Sequence, residues 1–158
     1  MSAMREELIE AWHINNRVNL MLLGGISDDG LDSTLSTRGG RTVAKQFAHI
    51  HDVRLGWLEV SAADLAKGQT RITKDGEITR ALLKKRLKES AEGIAALIER
   101  ALENGGKVKA FKRSVVTMVG YFIAHEAHHR GNMLLTLKQT GHKVDQGVQY
   151  GIWEWGKI

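Results

Sequence analysis

Apolar residues recur at three- and four-residue intervals through four long stretches of the chain, at about residues 4–23, 41–66, 77–103 and 114–139, and none of the four alternates as a strand would. Each stretch is long enough for several helical turns, and four such helices predict an all-α four-helix bundle. Proline is absent, so glycine supplies nearly all the punctuation. The breaks fall at Gly24-Gly25 through Gly39-Gly40, at residues 67–76, at Asn104-Gly105-Gly106 and at Gly141. The tail, HKVDQGVQYGIWEWGKI, is aromatic and broken by glycine, which predicts a segment lying across the bundle rather than a fifth core helix. No repeat or linker divides the chain, and residues 1–158 read as one domain.

At about 100° per residue the inward faces can be drawn. In the fourth stretch Val115, Met118, Val119, Phe122, Met133 and Leu137 form one stripe. His129 falls near its middle, His125 toward one edge, Glu126 toward the other, and His128 outside it. In the first stretch Leu8, Trp12 and Leu23 define the inner face, and Asn15, Asn16 and Asn19 lie close to the same line, which suggests a polar pocket. In the second, Val43, Phe47, Ile50, Val53 and Trp57 form the stripe, with His49 and His51 at its two margins. Periodicity does not choose between those two histidines.

Composition narrows the chemistry. Without cysteine there is no disulfide framework, zinc-thiolate site or thiol nucleophile, so a transition metal must rest on nitrogen and oxygen ligands. The formal charge of +5 invites a nucleic-acid reading through Arg80, Lys84, Lys85, Arg86 and Lys88. Those residues alternate with Leu82, Leu83 and Leu87 and carry no aromatic side chains for base stacking, so a solvated helix face explains them better. The opening MSAMREELIEAW has no basic-then-apolar signal pattern and no apolar run approaches a membrane span, so the expected compartment is the cytoplasm.

HEAHHRGNML, residues 125–134, holds three histidines and a glutamate within five residues. His125 and His129, spaced i, i+4, bring two imidazoles together on one helix face, and either His49 or His51 from a facing helix would complete a three-nitrogen set. Three protein ligands leave positions open for water or substrate, as a catalytic metal requires. The alternative is a set of core histidines satisfied by hydrogen bonds. HEAHH also fits H-E-x-x-H, the zinc-protease pattern with glutamate as general base. The longer form of that motif is broken by Asn132 and Leu135, and a small helical bundle offers no strand edge for an extended peptide. Glu126 remains a candidate base, a carboxylate that orients an imidazole, or a hydrogen-bonded structural acid.

The order of WHINNRVNLMLL, FAHIHDVRLGWLE, LKESAEGI, HEAHHRGNM and GIWEWGK resembles the DinB/YfiT-like superfamily across nearly the whole chain. That resemblance implies an up-down-down-up four-helix bundle, often a homodimer, with a divalent metal on three histidines. It selects His49 over His51 as the second-helix ligand, beside His125 and His129. Members often carry glutamine where this chain has Asn132. The resemblance implies either a metal-dependent hydrolase or an S-transferase using a low-molecular-weight thiol such as bacillithiol or mycothiol. Zn(II) or Ni(II) would suit either chemistry, activating water or the thiol toward a small-molecule substrate. Trp12, Asn15, Asn19, Asp52 and Asn132 are candidates to line a pocket or to support the ligands from behind, and Trp153 and Trp155 candidate covers for the site or a dimer seam. Three function classes stand: a metal-dependent enzyme, a non-catalytic metal- or ligand-binding bundle, and a basic nucleic-acid-binding domain.

Overall fold

A computed structural model describes residues 3–72 and 76–158. Its elements run α1 (Ala3–Gly24), α2 (Asp28–Leu31), α3 (Val43–Ser61), α4 (Ala63–Ala66), α5 (Arg80–Glu103), β1 (Lys107–Val108), β2 (Phe111–Ser114), α6 (Val115–Gln139) and α7 (Gln146–Gly151). The four predicted helices are α1, α3, α5 and α6. Side-chain caps set where three of them begin: Thr42, Thr79 and Ser114 accept from the backbone amides of Lys45, Leu82 and Thr117. The second and third helices therefore start later than periodicity suggests. The second also ends earlier, because Ala62 leaves helical geometry (φ −158°, ψ 71°) before the single turn of α4. Of the predicted break at 67–76, residues 73–75 lie outside the described residues.

The antiparallel β1–β2 hairpin was not visible in the hydrophobic pattern. Two- and four-residue strands are too short for alternation to register. The backbone shows its origin: Gly105 and Gly106 enter at φ 67° and 79°, and Ala110 turns at φ 66°. Ser61 donates to the Lys109 carbonyl at 2.8 Å, tying the hairpin to the end of α3.

Contacts at different heights fix the helix directions. Arg5 pairs with Glu103, Trp12 donates to the Ala91 carbonyl and Arg80 to the Leu23 carbonyl, so α1 and α5 are antiparallel. Arg54 reaches the Leu87 carbonyl, and Asp64, just past α3, pairs with Arg100, so α3 and α5 are parallel. Trp12 packs on Phe122 and Asn19 meets Arg130, which makes α6 parallel to α1. Gln46 meets His129 and Trp57 meets Tyr121, which makes it antiparallel to α3. The bundle is up-down-down-up. Its tail lies on α1: Val148 closes against Gly25, and Trp155 packs on the core beside it, whereas Trp153 stays exposed.

The apolar interior forms two clusters. One gathers Leu22, Phe47, Ile50, Leu83, Met133 and Leu137. The other gathers Trp12, Leu58, Ile94, Met118 and Phe122. Between them runs a buried polar layer. The Arg54 guanidinium grips the Glu126 carboxylate in a fork, Nε to Oε1 at 2.6 Å and Nη2 to Oε2 at 2.7 Å, with both side chains fully buried. Asn15 and Asn19 each donate to Glu126 Oε2 at 2.7 Å and accept from Arg130 through their own carbonyls. Arg54 also donates to Asn16 and lies 4.7 Å above the Trp12 ring. Such fully satisfied ionic layers fix the relative height and rotation of the helices they join.

Candidate metal centre

One helical turn of α6 and one of α3 supply the site. The i, i+4 spacing stacks His125 and His129 on the same face of α6, and their Nε2 atoms stand 3.2 Å apart. Because α3 runs antiparallel to α6 at this height, His49 enters edge-on to both rings, with centroids 5.3 Å and 4.9 Å away. One ring nitrogen from each of the three lies within 4.8 Å of the others, a group that could hold a metal ion. His51 turns elsewhere: it is buried with Nε2 against the Thr70 carbonyl at 2.9 Å. His128 is exposed and paired with Asn132.

The donor set fits a transition ion on chemical grounds. Gln46 Oε1 faces His129 Nδ1 at 3.3 Å and can accept a hydrogen bond from it, in the tautomer that leaves Nε2 free to coordinate. The Nε2 atoms of His129 and His125 stand at hydrogen-bond distance, so a proton on one of them bridges the pair, and a shared cation would take that proton's place. Three imidazoles suit Zn(II), Ni(II) and their neighbours rather than oxygen-seeking calcium or magnesium.

Burial disfavours the charged form of all three rings. Burial lowers the pKa of His49, helped by Arg41 and His125 and opposed by Asp52. Burial also lowers His125, against the pull of Glu126. His129 is lowered to about 4, first by burial and then by His125 and His49. Neutral imidazole is the form that binds metal.

The structure separates the remaining candidates. Asp52 is half-buried beside His49, with Oδ1 accepting from the Ile72 amide at 3.1 Å. Asn132 lines a cavity with His128 and His129. Trp12, Asn15 and Asn19 have no exposed surface and belong to the polar layer, where Asn15 and Asn19 hold Glu126 and Trp12 lies under Arg54. Glu126, considered above as a general base, is held there too. Burial pushes its pKa up, but the Arg54 charge and hydrogen bonds outweigh that and leave it lowered. Three donors sit on Oε2 and one on Oε1, and none of the carboxylate's surface is open to solvent.

Three residues of the site and its frame escaped the sequence reading. Gln46 lies three residues before His49, which puts both on one face of α3. Arg54 falls four residues after Ile50, a charge on an apolar stripe that signals a buried partner. Arg41 precedes the helix, where periodicity says nothing. An aromatic wall flanks the centre as well: Tyr121 stacks on His125 at 6.1 Å and meets Trp57 at 5.9 Å.

Comparison with known proteins adds one match: the DinB family model covers residues 1–153. No curated protein matches the chain.

Proposed function

The chain belongs to the DinB family, and from that premise we propose that it is a metal-dependent enzyme whose His49, His125 and His129 hold a divalent transition ion, Zn(II) or Ni(II). The substrate is a small molecule, and the reaction is hydrolysis or transfer of a low-molecular-weight thiol. The observation that carries this reading is the convergence of three ligand nitrogens within 4.8 Å beside two open cavities. A bound ion supplies Lewis acidity, which makes a nucleophile of water or of a small thiol near neutral pH.

The chain's own residues do the rest. Three ligands leave coordination positions free. Gln46 fixes the tautomer and ring angle of His129, and the Arg54–Glu126 layer sets the height of α3 against α6, and so of His49 against the pair. Glu126 is a framework residue. Asp52 and Asn132 border the cavities where a substrate would lie.

The nucleic-acid reading has less support. Arg80 is engaged with Asp28 and two backbone carbonyls, and Arg86 with Glu89, so part of the basic run serves the fold. No helix among the described residues is long and apolar enough to cross a membrane.

The reading is tested by elemental analysis of untagged protein, followed by turnover assays. The expected result is near-stoichiometric divalent metal, with metal-dependent conversion either of esters and amides or of a chlorinated aromatic in the presence of a small thiol. Metal without turnover favours the non-catalytic binding bundle. Protein that cannot be loaded with any divalent ion would refute the metal reading.

Replacing Gln46 with leucine removes the acceptor for His129 Nδ1–H without touching a ligand. Metal affinity is expected to fall by about 10–100-fold, measured by competition with a chromophoric chelator. Unchanged affinity would mean that packing alone orients the ring.

A further inference from the structure

Two cavities border the three-histidine group, one at His49 and one at His129. A cavity of about 340 Å³ is bounded by Arg41, Lys45, His49 and Asp52, with Ala48 and Ile72 behind them. A second, of about 320 Å³, is bounded by Arg41, Gln46, His128, His129 and Asn132. Arg41 is the residue common to both, and so it borders the approach to His49 and to His129 alike.

The chain before α3 is shaped to put it there. Ser36 Oγ accepts from the amides of Gly40 at 2.8 Å and Arg38 at 3.3 Å, closing a tight loop. Gly39 turns at φ 75°, and a Cβ on Gly40 would lie 2.4 Å from the Ser36 Cβ, so that turn admits no side chain. Thr34 Oγ1 then donates to the Arg41 carbonyl at 3.2 Å. The Arg41 backbone is anchored while its side chain remains exposed.

Its charge has no carboxylate partner among the described residues. Arg5, Arg17, Arg54, Arg71, Arg80, Arg86 and Arg100 each pair with a carboxylate. Among the described residues neither Arg41 nor Lys45 has such a partner within 4.0 Å, although Asp52 borders the same cavity. One Asp52 oxygen is already taken by the Ile72 amide. Within this cavity two cations thus face one partly committed carboxylate beside His49, although Lys45 also borders a neighbouring cavity that holds Asp28, Asp32 and Glu77. A neutral ligand gives those cations nothing to bind, whereas an anionic group gains charge-assisted hydrogen bonds from a planar guanidinium fork and a lysine ammonium.

We propose that the molecule entering this site carries a carboxylate or phosphate group, which Arg41 and Lys45 bind beside the three histidines. This rests on the metal-centre reading above and names the substrate class for it. Arg41 acts as a specificity residue, selecting anionic over neutral molecules.

The test uses the full chain loaded with Co(II) alone, whose absorption bands report ligands arriving near the ion. Wild type, Arg41→Gln and Lys45→Gln are titrated with inorganic phosphate, with succinate and with neutral succinamide. Both substituted side chains are exposed, so the variants keep the fold and their cobalt content. Wild type is expected to bind at least one of the two anions about tenfold or more tighter than succinamide, and each variant to lose roughly tenfold of that affinity. Whichever of phosphate and succinate shows the larger loss identifies the anionic group. Equal anion affinity in wild type and variants, with cobalt still bound, overturns this proposal alone, since a carboxylate can ligate cobalt unaided. Wild type that takes up no cobalt overturns the metal centre and this proposal together.

Discussion

Replacing Glu126 with leucine is expected to lower the unfolding free energy by about 3–5 kcal/mol, because it strands the Arg54 charge in the interior. Arg54 has no exposed surface, and Glu126 is the carboxylate it pairs with, so nothing else nearby can neutralise it. The amides of Asn15 and Asn19 lose their acceptor as well, and Arg130 loses the carboxylate that draws on its charge. For a domain of this size the fall in Tm should be roughly 6–20 °C. Much of that penalty comes from the orphaned ion rather than from the value of the pair. Arg54→Met with Glu126→Leu should therefore recover a good part of the loss. Recovery will be incomplete, since Arg54 also serves Asn16 and the Leu87 carbonyl. Urea unfolding of the metal-free protein measures both variants. A single Glu126→Leu variant within about 1 kcal/mol of wild type would show that the carboxylate is not committed to a buried pair.

The same layer shows where sequence reasoning reached its limit. A helical wheel gives direction but neither depth nor partner. It turned Trp12, Asn15, Asn19 and Glu126 inward, and inward they are. Whether an inward amide faces a cavity or a carboxylate depends on what the opposing helix carries at that height, and α3 and α6 meet in a register set by tertiary packing. Arg54 and Glu126 were both charges on apolar stripes, readable as a pair only once those helices are known to be antiparallel. His49 and His51 were equivalent margins of one stripe for the same reason, and the resemblance to a family chose the one that meets His125 and His129. The i, i+4 pair itself needed no tertiary information, because both members lie on one helix. Arg41 lay beyond any periodic argument: a loop closed by Ser36 and two glycines places it, and loop geometry leaves no hydrophobic pattern.

Metal-dependent stabilisation is expected in wild type and absent in His49→Ala, His125→Ala and His129→Ala. An ion that binds only the folded chain adds about 2.7 kcal/mol at 100 times its Kd and about 4.1 kcal/mol at 1,000 times. At this chain length that corresponds to a rise in Tm of roughly 5–16 °C on adding zinc or nickel. Two imidazoles cannot replace three, because the unfolded chain offers scattered histidines of its own and the folded advantage lies in presenting three together. The shift should therefore collapse with any one of the set, and not in proportion to the number lost. His128→Ala is the control: that residue neighbours His129 in sequence, is exposed and bonds Asn132, so its removal should leave the shift intact. In the metal-free protein His125→Ala should cost only about 0.5–1.5 kcal/mol, the worth of its one hydrogen bond, Nε2 to His129 Nε2 at 3.2 Å. A shift that survives His129→Ala but vanishes with His128→Ala would mean that the ligand set is a different one, on the exposed side of α6.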